Sequence, residues 1–357
     1  MNLIFNRTLE REQRSQLLNG KMDNHPFTSY EIEDRSFVSF IKRDIRSGAT
    51  QAGFNEARVG VIDIAVSELT SNIIKHAESG ELLYRFSTSK KSPVFEIFCL
   101  DNGPGIKDVL HSMKDGVTTT KTLGHGLGAL KRLSDVFHIY SKLKWGTVCY
   151  SKICASPSKH VAESKEVKFG AVNISKPGQV VSGDGFQVIS DADYTKIFMG
   201  DGLGHGKEAF DAVQLAITNF KLCEAVVPSE ILRFISEGVK KSRGLVATTV
   251  VLDHKLKKWK ICGVGNIATR LFEGLQSKNY MNHNGIVGLN VPTTLQDHET
   301  DFNKHQCFIL TSDGIRTRWD LSQFPSILRY DPMMLAAVIY KENARKNDDM
   351  SILVVRT

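Results

Sequence analysis

A polar, charged stretch, CASPSKHVAESKEVK at 154–168, separates two segments of unlike pattern. It holds a single Pro and no hydrophobic period, so it reads as a linker. Before it, from Phe27 to Ile153, apolar periods alternate with glycine-rich breaks. After it, from Phe169 to Thr357, short β-rich runs alternate with Gly-Asp turns around one helical block at 207–243. A chain of 357 residues has room for two domains at about 100–200 residues each. The expected organisation is a polar tail at 1–26, a first domain at 27–153, the linker at 154–168 and a second domain at 169–357.

Composition narrows the class. With 41% hydrophobic and 24% charged residues the chain can bury ordinary cores and is not a disordered polymer. Its six cysteines form no CxxC pair and no Cys/His finger, which argues against structural zinc and fits a reducing cytosol. No apolar run approaches the roughly 18 residues of a membrane helix, and Met1 to Gly20 is too polar for a signal peptide. A cytoplasmic protein without a membrane partner is expected. The net charge of +7 comes from scattered Lys and Arg. That pattern is a solvated surface rather than a nucleic-acid interface.

In the first half, GVIDIAVSELTSNIIKHA at 60–77 predicts an amphipathic helix with Ile62, Val66, Leu69, Ile73 and Ala77 on one stripe. Glu68 and Asn72, four apart, share the other side. A carboxylate beside a carboxamide suits a base and a metal ligand, and it also suits any exposed helix face. The predicted strand VFEIFCL at 94–100 runs into Asp101-Asn102-Gly103-Pro104-Gly105. This is either an ordinary β-turn or a sharp turn that aims the Asp101 carboxylate into a pocket. A hydroxyl-rich loop, MKDGVTTTKTL at 113–123, leads to Gly124, Gly126 and Gly128 ahead of another apolar-periodic segment. Glycines opening a helix expose main-chain N–H groups that favour phosphate.

In this order the three elements resemble the GHKL ATPase family over about 30–153. The N-box is Glu68 and Asn72, the first glycine box Asp101, Gly103 and Gly105, and the second Gly124, Gly126 and Gly128. The resemblance implies that Asp101 reads the adenine amino group of ATP and that Asn72 holds Mg2+ against the phosphates. It implies further that the second glycine box wraps the phosphate chain and that Thr147 supports the adenine end. The roughly 25 residues before Phe27 leave no room for the phospho-accepting helical hairpin of a histidine kinase. The flanking text, EDRSFVSFIKRDIRSGATQAGF and GHGLGALKRLSD, is similar to the RsbT-like switch kinases, close to the RsbW-like anti-sigma factors. That branch implies Glu68 as base on a Ser or Thr hydroxyl of a STAS-domain protein, in a step governed by positioning and charge neutralisation.

In the second half, acids fall at the ends of β-like runs. Asp184 precedes FQVIS, Asp201 and Gly202 follow YTKIFM, Asp313 follows CFILT, and Asp348 with Asp349 precedes MSILVV. Each Asp-Gly alone reads as a hairpin turn. Carboxylates gathered from four strand ends would repel one another, and without His or Cys they select Mg2+ or Mn2+. Gly263-Val264-Gly265-Asn266-Ile267-Ala268 fits a dinucleotide fingerprint, but Thr269 to Phe272 reads as strand where that fingerprint requires helix.

The acids, with the Gly204-His205-Gly206 turn, LVATTVVLD at 245–253, CGVGNIATRLF at 262–272 and GIVGL at 285–289, resemble the PPM phosphatases over about 169–357. The likeness is to their SpoIIE and RsbX-like branch. It implies two Mn2+ or Mg2+ ions bridged by Asp201, with Gly202 offering a carbonyl. Asp313 and Asp348 take the second ion, Asp184 is an outer acid, and the order of Asp348 and Asp349 stays open. Two such ions, about 3.5–4 Å apart, activate a water for in-line attack on phosphorus. His205 would protonate a leaving group or merely cap its turn. No Arg near the start of the domain is assigned to phosphate.

The expected fold is α+β in two domains, a GHKL (Bergerat) α/β sandwich followed by a PPM-type β-sandwich flanked by helices. The expected function is a bifunctional kinase and phosphatase acting on a STAS-domain phosphoprotein, of the anti-anti-sigma or stressosome-like kind, in a partner-switching module. The alternatives are a phosphatase with an ATP-sensing domain, or a module that sequesters a STAS protein or sigma factor. A homodimer stays open. Opposed activities left unbiased would only consume ATP, so nucleotide in the first domain is expected to alter dephosphorylation by the second; the alternative is two independent enzymes on one chain.

Overall fold

The computed structural model describes residues 25–87, 93–113, 126–156, 167–274 and 276–357. Most of the expected tail, most of the linker, the 114–123 loop and Gly124 lie outside the described residues. The chain divides into two compact units. One joins Phe27–His160 to Leu321–Lys341, and the other joins Val161–Asp320 to Glu342–Thr357. The grouping of Leu321–Lys341 departs from the expected boundaries, which placed all of 169–357 in the second domain. Its aromatic residues find partners on the first unit's sheet, which periodicity within the stretch could not indicate.

The first unit is built on an antiparallel sheet of β1 (Thr28–Ile32), β2 (Gly80–Phe86), β3 (Val94–Asp101), β4 (Val136–Lys142) and β5 (Gly146–Cys154), in the order β1-β2-β3-β5-β4. Helices α1 (Val38–Ala52) and α2 (Glu56–His76) bury their apolar stripes with one face of it. Helix α2 carries the predicted stripe: Ile62, Val66, Leu69 and Ile73 are all buried. It starts a turn earlier than predicted because Asn55 caps it, accepting from the Arg58 N–H at 2.9 Å. Lys75 and His76 complement the dipole in its last turn. Two shorter helices, α3 (Val109–Ser112) and α4 (Leu127–Leu133), flank the undescribed loop.

The second unit is a sandwich of two antiparallel five-stranded sheets. One has the order β13-β10-β9-β8-β7, with β7 (Asp184–Ser190), β8 (Tyr194–Gly202), β9 (Leu245–Asp253), β10 (Lys258–Val264) and β13 (His298–Asp301). The other has the order β12-β11-β14-β15-β6, with β6 (Lys168–Ile174), β11 (Ala268–Glu273), β12 (Gln276–Tyr280), β14 (Gln306–Thr311) and β15 (Met350–Arg356). Alternate residues of both sheets meet between them: Phe186, Ile197, Met199 and Trp259 from one, Leu271, Phe308, Leu310 and Leu353 from the other. The predicted helical block is two helices, α5 (Lys207–Leu222) and α6 (Pro228–Gly238), which cover the outer face of the first of these sheets through Phe220, Ile231, Leu232 and Ile235. Residues 268–273 form a strand, so the dinucleotide fingerprint lacks its helix, as expected. The α+β class and the order of the two architectures are those anticipated. All six cysteines are buried free thiols, and no helix among the described residues is long and apolar enough to cross a membrane.

Phe308 is fully buried and packs edge-on to Trp259 with ring centroids 4.8 Å apart. Phe308→Ala should therefore cost about 3–5 kcal/mol of unfolding free energy in a denaturant titration. Leu256→Ala, at an exposed turn, should shift it by less than about 0.5 kcal/mol. Equal effects would contradict the packing described.

Candidate active sites

Asp101 ends β3, and its cross-strand partner is Thr147 of β5. Its Oδ1 accepts from the main-chain N–H of Gly103 at 2.9 Å and of Thr147 at 3.1 Å. Burial pushes its carboxyl above the ordinary value, and those two N–H groups and Lys341 pull it back. The turn after it admits little variation. A Cβ on Gly146, whose φ is +114°, would stand 1.9 Å from the Asp101 carbonyl oxygen. Gly105 also has positive φ, at +76°. The Ser141 hydroxyl, not foreseen from sequence, lies 3.0 Å from that of Thr147 and accepts from the Ile106 N–H at 2.7 Å. A partly buried carboxylate held rigidly at a strand end has the chemistry to accept from an exocyclic amine.

Glu68 lies on α2 and lines a cleft of about 480 Å³ between α2 and α4, with Asp63, Ile64 and Ser67 on one wall and Ala129, Arg132 and Leu133 on the other. Asn72 is half-buried one turn further along and does not line this cleft. Gly126 caps α4 and Gly128 lies in its first turn; Gly124 is outside the described residues. Sequence reasoning named Glu68 but missed Arg132, which faces it from the segment after the second glycine box.

The acids of the second unit come together at one end of the sandwich. Asp184 and Asp201 are cross-strand partners on β7 and β8. Ser312 donates to Asp184 Oδ2 at 2.6 Å, while the buried Asp184 Oδ1 has no hydrogen-bond partner. Asn266 donates to Asp313 Oδ2 at 3.0 Å. The Asp313-Gly314 turn passes so close to Asp349 that a Cβ on Gly314 would lie 2.0 Å from the Asp349 carbonyl oxygen. Asp349 itself is buried, accepting from the N–H groups of Lys176 at 2.8 Å and Gly183 at 2.9 Å. Asp348 is more exposed, and its Oδ1 accepts from the Asp349 N–H at 2.9 Å. Gly202 is buried at the end of β8, donating its N–H to the Gly183 carbonyl at 3.0 Å. His205 stands exposed in the following turn.

Electrostatics show how these groups bear on one another. Burial first, and then the charges of Asp184, Asp313, Asp348 and Asp349, push the Asp201 carboxyl up to about 10. Burial, with Asp349 and Asp313, raises that of Asp184 to about 7, against the Ser312 hydrogen bond. Among the described residues no three His, Cys, Asp or Glu side chains are grouped closely enough to hold one metal ion between them. An all-oxygen donor set, mutual repulsion and an orphaned buried carboxylate oxygen nevertheless fit hard divalent cations.

Both carboxyls titrate above their unfolded values, so the stability they contribute is full in acid and is lost as pH rises through about 7 and then about 10. In cation-free buffer the unfolding midpoint should fall between about pH 6 and about pH 9, and Asp201→Asn should flatten that fall. Saturating Mn2+ should restore the midpoint of the parent chain and not of the variant. Identical cation-free midpoints at the two pH values would contradict the clustering.

Comparison with known proteins places the first unit. Residues 37–150 match the histidine kinase-like ATPase domain family. The serine/threonine-protein kinase RsbT of Bacillus subtilis (strain 168) is 35% identical over 102 residues, 29% of this chain and 77% of that protein. Among solved structures, a chain from "The bacterial stressosome: a modular system that has been adapted to control secondary messenger signaling" shares the fold over 54% of this chain and 100% of its own, with TM-score 0.50 and 24% identity. RsbX in complex with magnesium aligns over 55% of this chain and 98% of its own, with TM-score 0.48 and 20% identity. The phosphatase domain and regulatory fragment of SpoIIE from Bacillus subtilis align over 99% and 97%, with TM-score 0.44 and 16% identity. By its first unit, the chain belongs to the RsbT family of serine/threonine-protein kinases, within the histidine kinase-like ATPases.

Proposed function

We propose that the chain is a bifunctional regulator in which an RsbT-type protein kinase and a cation-dependent phosphoprotein phosphatase act on one STAS-domain protein. The observation that carries the second activity is the gathering of Asp184, Asp201, Asp313 and Asp348 at strand ends, with the Asp201 carboxyl raised by burial and then by the other acids. Structural acid clusters are ordinarily paired with Lys or Arg; the side-chain donors seen here are the neutral Ser312 and Asn266.

In the kinase unit, Asp101 accepts from the adenine amino group, with Thr147 behind it. Asn72 would hold the Mg2+ that accompanies ATP, and the second glycine box would bind the phosphates. Glu68 accepts the proton of the attacking Ser or Thr hydroxyl, which enters the cleft between α2 and α4. In the phosphatase unit, Asp201, the Gly202 carbonyl, Asp313 and Asp348 would hold the cations. Asp184 supports Asp201 from across the β7–β8 ladder. Asp349 spends both oxygens on main-chain N–H groups, so it fixes the loop from Lys176 to Gly183 and leaves Asp348 as the ligand. Bound there, Mn2+ or Mg2+ would supply an activated water and neutralise the phosphoryl oxygens.

Glu68→Gln should lower phosphoryl transfer from ATP to a STAS-domain protein by about 10²–10⁴-fold while leaving ADP affinity within about twofold. Asp201→Asn should abolish phosphate release from the phosphorylated STAS protein and spare transfer. Phosphate release that survives a strong chelator would refute the cation-dependent reading. Full transfer by Glu68→Gln would remove the base assignment.

A further inference from the structure

The stretch Leu321–Lys341, between the acids Asp313 and Asp348 in sequence, belongs to the kinase unit. It runs into helix α7 (Pro332–Asn343), whose residues Met334 to Tyr340 are all buried. Phe324 packs on Trp145 with centroids 5.1 Å apart, and Tyr330 meets Tyr140 edge-on at 5.1 Å. The Lys142 ammonium lies 5.0 Å over the Phe324 ring. Tyr140, Lys142 and Trp145 all flank the β4–β5 turn, the turn that presents Gly146 and Thr147 to Asp101. The stretch therefore clasps the back of the adenine-end turn.

At its end, the Lys341 ammonium donates to Asn102 Oδ1 at 3.0 Å and to the Trp145 carbonyl at 3.0 Å, and lies 4.1 Å over the Trp145 ring. Asn102 follows Asp101 directly, and Trp145 precedes Gly146. One cation thus pins the two turns whose N–H groups hold Asp101, and its charge favours the ionised carboxylate.

We propose that Lys341 is a positioning residue of the nucleotide site: it fixes the Asn102 and Trp145 turns so that Asp101 meets the base, and so sets preference for a 6-amino purine. The proposal rests on the reading of Asp101 as the adenine acceptor. It gives the stretch before Asp348 a part in nucleotide recognition.

The test uses the full chain, calorimetric titration with ADP and with inosine diphosphate, which carries a carbonyl where ADP carries the amine, and fixed free Mg2+. Lys341→Met should weaken ADP by about fivefold, the size of one ordinary hydrogen bond at the base. It should leave inosine diphosphate nearly unchanged, so the ratio of the two falls. Lys341→Arg should recover most of that ratio. Tyr340→Phe removes the neighbouring hydrogen bond to Glu81, 2.7 Å long, and controls for loosening of α7; it should keep the ratio. An unchanged ratio in Lys341→Met, or an equal loss in Tyr340→Phe, overturns the proposal. A parent chain that binds both diphosphates equally overturns the assignment of Asp101, and the proposal with it. Should Lys341→Met fail to fold, Asn102→Ala removes the other end of the contact and must lower the same ratio.

Discussion

Like charges gathered at the end of a β-sandwich must be paired, protonated or bridged by a cation, and the second unit depends on which occurs. The antiparallel register that sets Asp184 opposite Asp201 is the same register that interleaves Phe186, Ile197 and Met199 with the other sheet. Slipping it by one residue would turn the apolar set outward. The core therefore holds the carboxylates together against their repulsion. Strain of this kind is characteristic of sites that bind something, and it explains why Ser312 and Asn266 are spent as donors on Asp184 and Asp313.

The kinase unit solves a related problem with one acid. Asp101 is kept at a strand end by two main-chain N–H groups, which favour its ionised form against the cost of burial. The glycines around it serve close approach rather than flexibility: Gly146 lies where any side chain would strike the Asp101 carbonyl. Rigid turns at strand ends thus fix carboxylates in both units; under the proposed function they would meet an amine in one and cations in the other.

Much of this was legible in the residues. The stripe of α2 followed from its period, and the acids of the second unit could be placed at strand ends because β-rich runs stop at them. Glycine spacing located the turn that follows Asp101. What local pattern could not carry was pairing between distant segments. Nothing in Asp348-Asp349 tells which carboxylate turns inward; the N–H groups of Lys176 and Gly183 decide it. Nothing in the aromatic residues of 321–341 says that Tyr140 and Trp145 are their partners. The cleft residue Arg132 was likewise hidden, because its place in the lining depends on how α4 lies beside α2.

The central claim is that one chain both adds and removes the same phosphate. Intact-mass spectrometry of a single STAS-domain protein tests it from both directions. Starting unmodified, with the chain, ATP and Mg2+, the protein should gain one phosphate's mass. Starting phosphorylated, with the chain and Mn2+ but no nucleotide, it should return to the unmodified mass. A mass that moves in only one direction, under every cation supplied, would contradict the account.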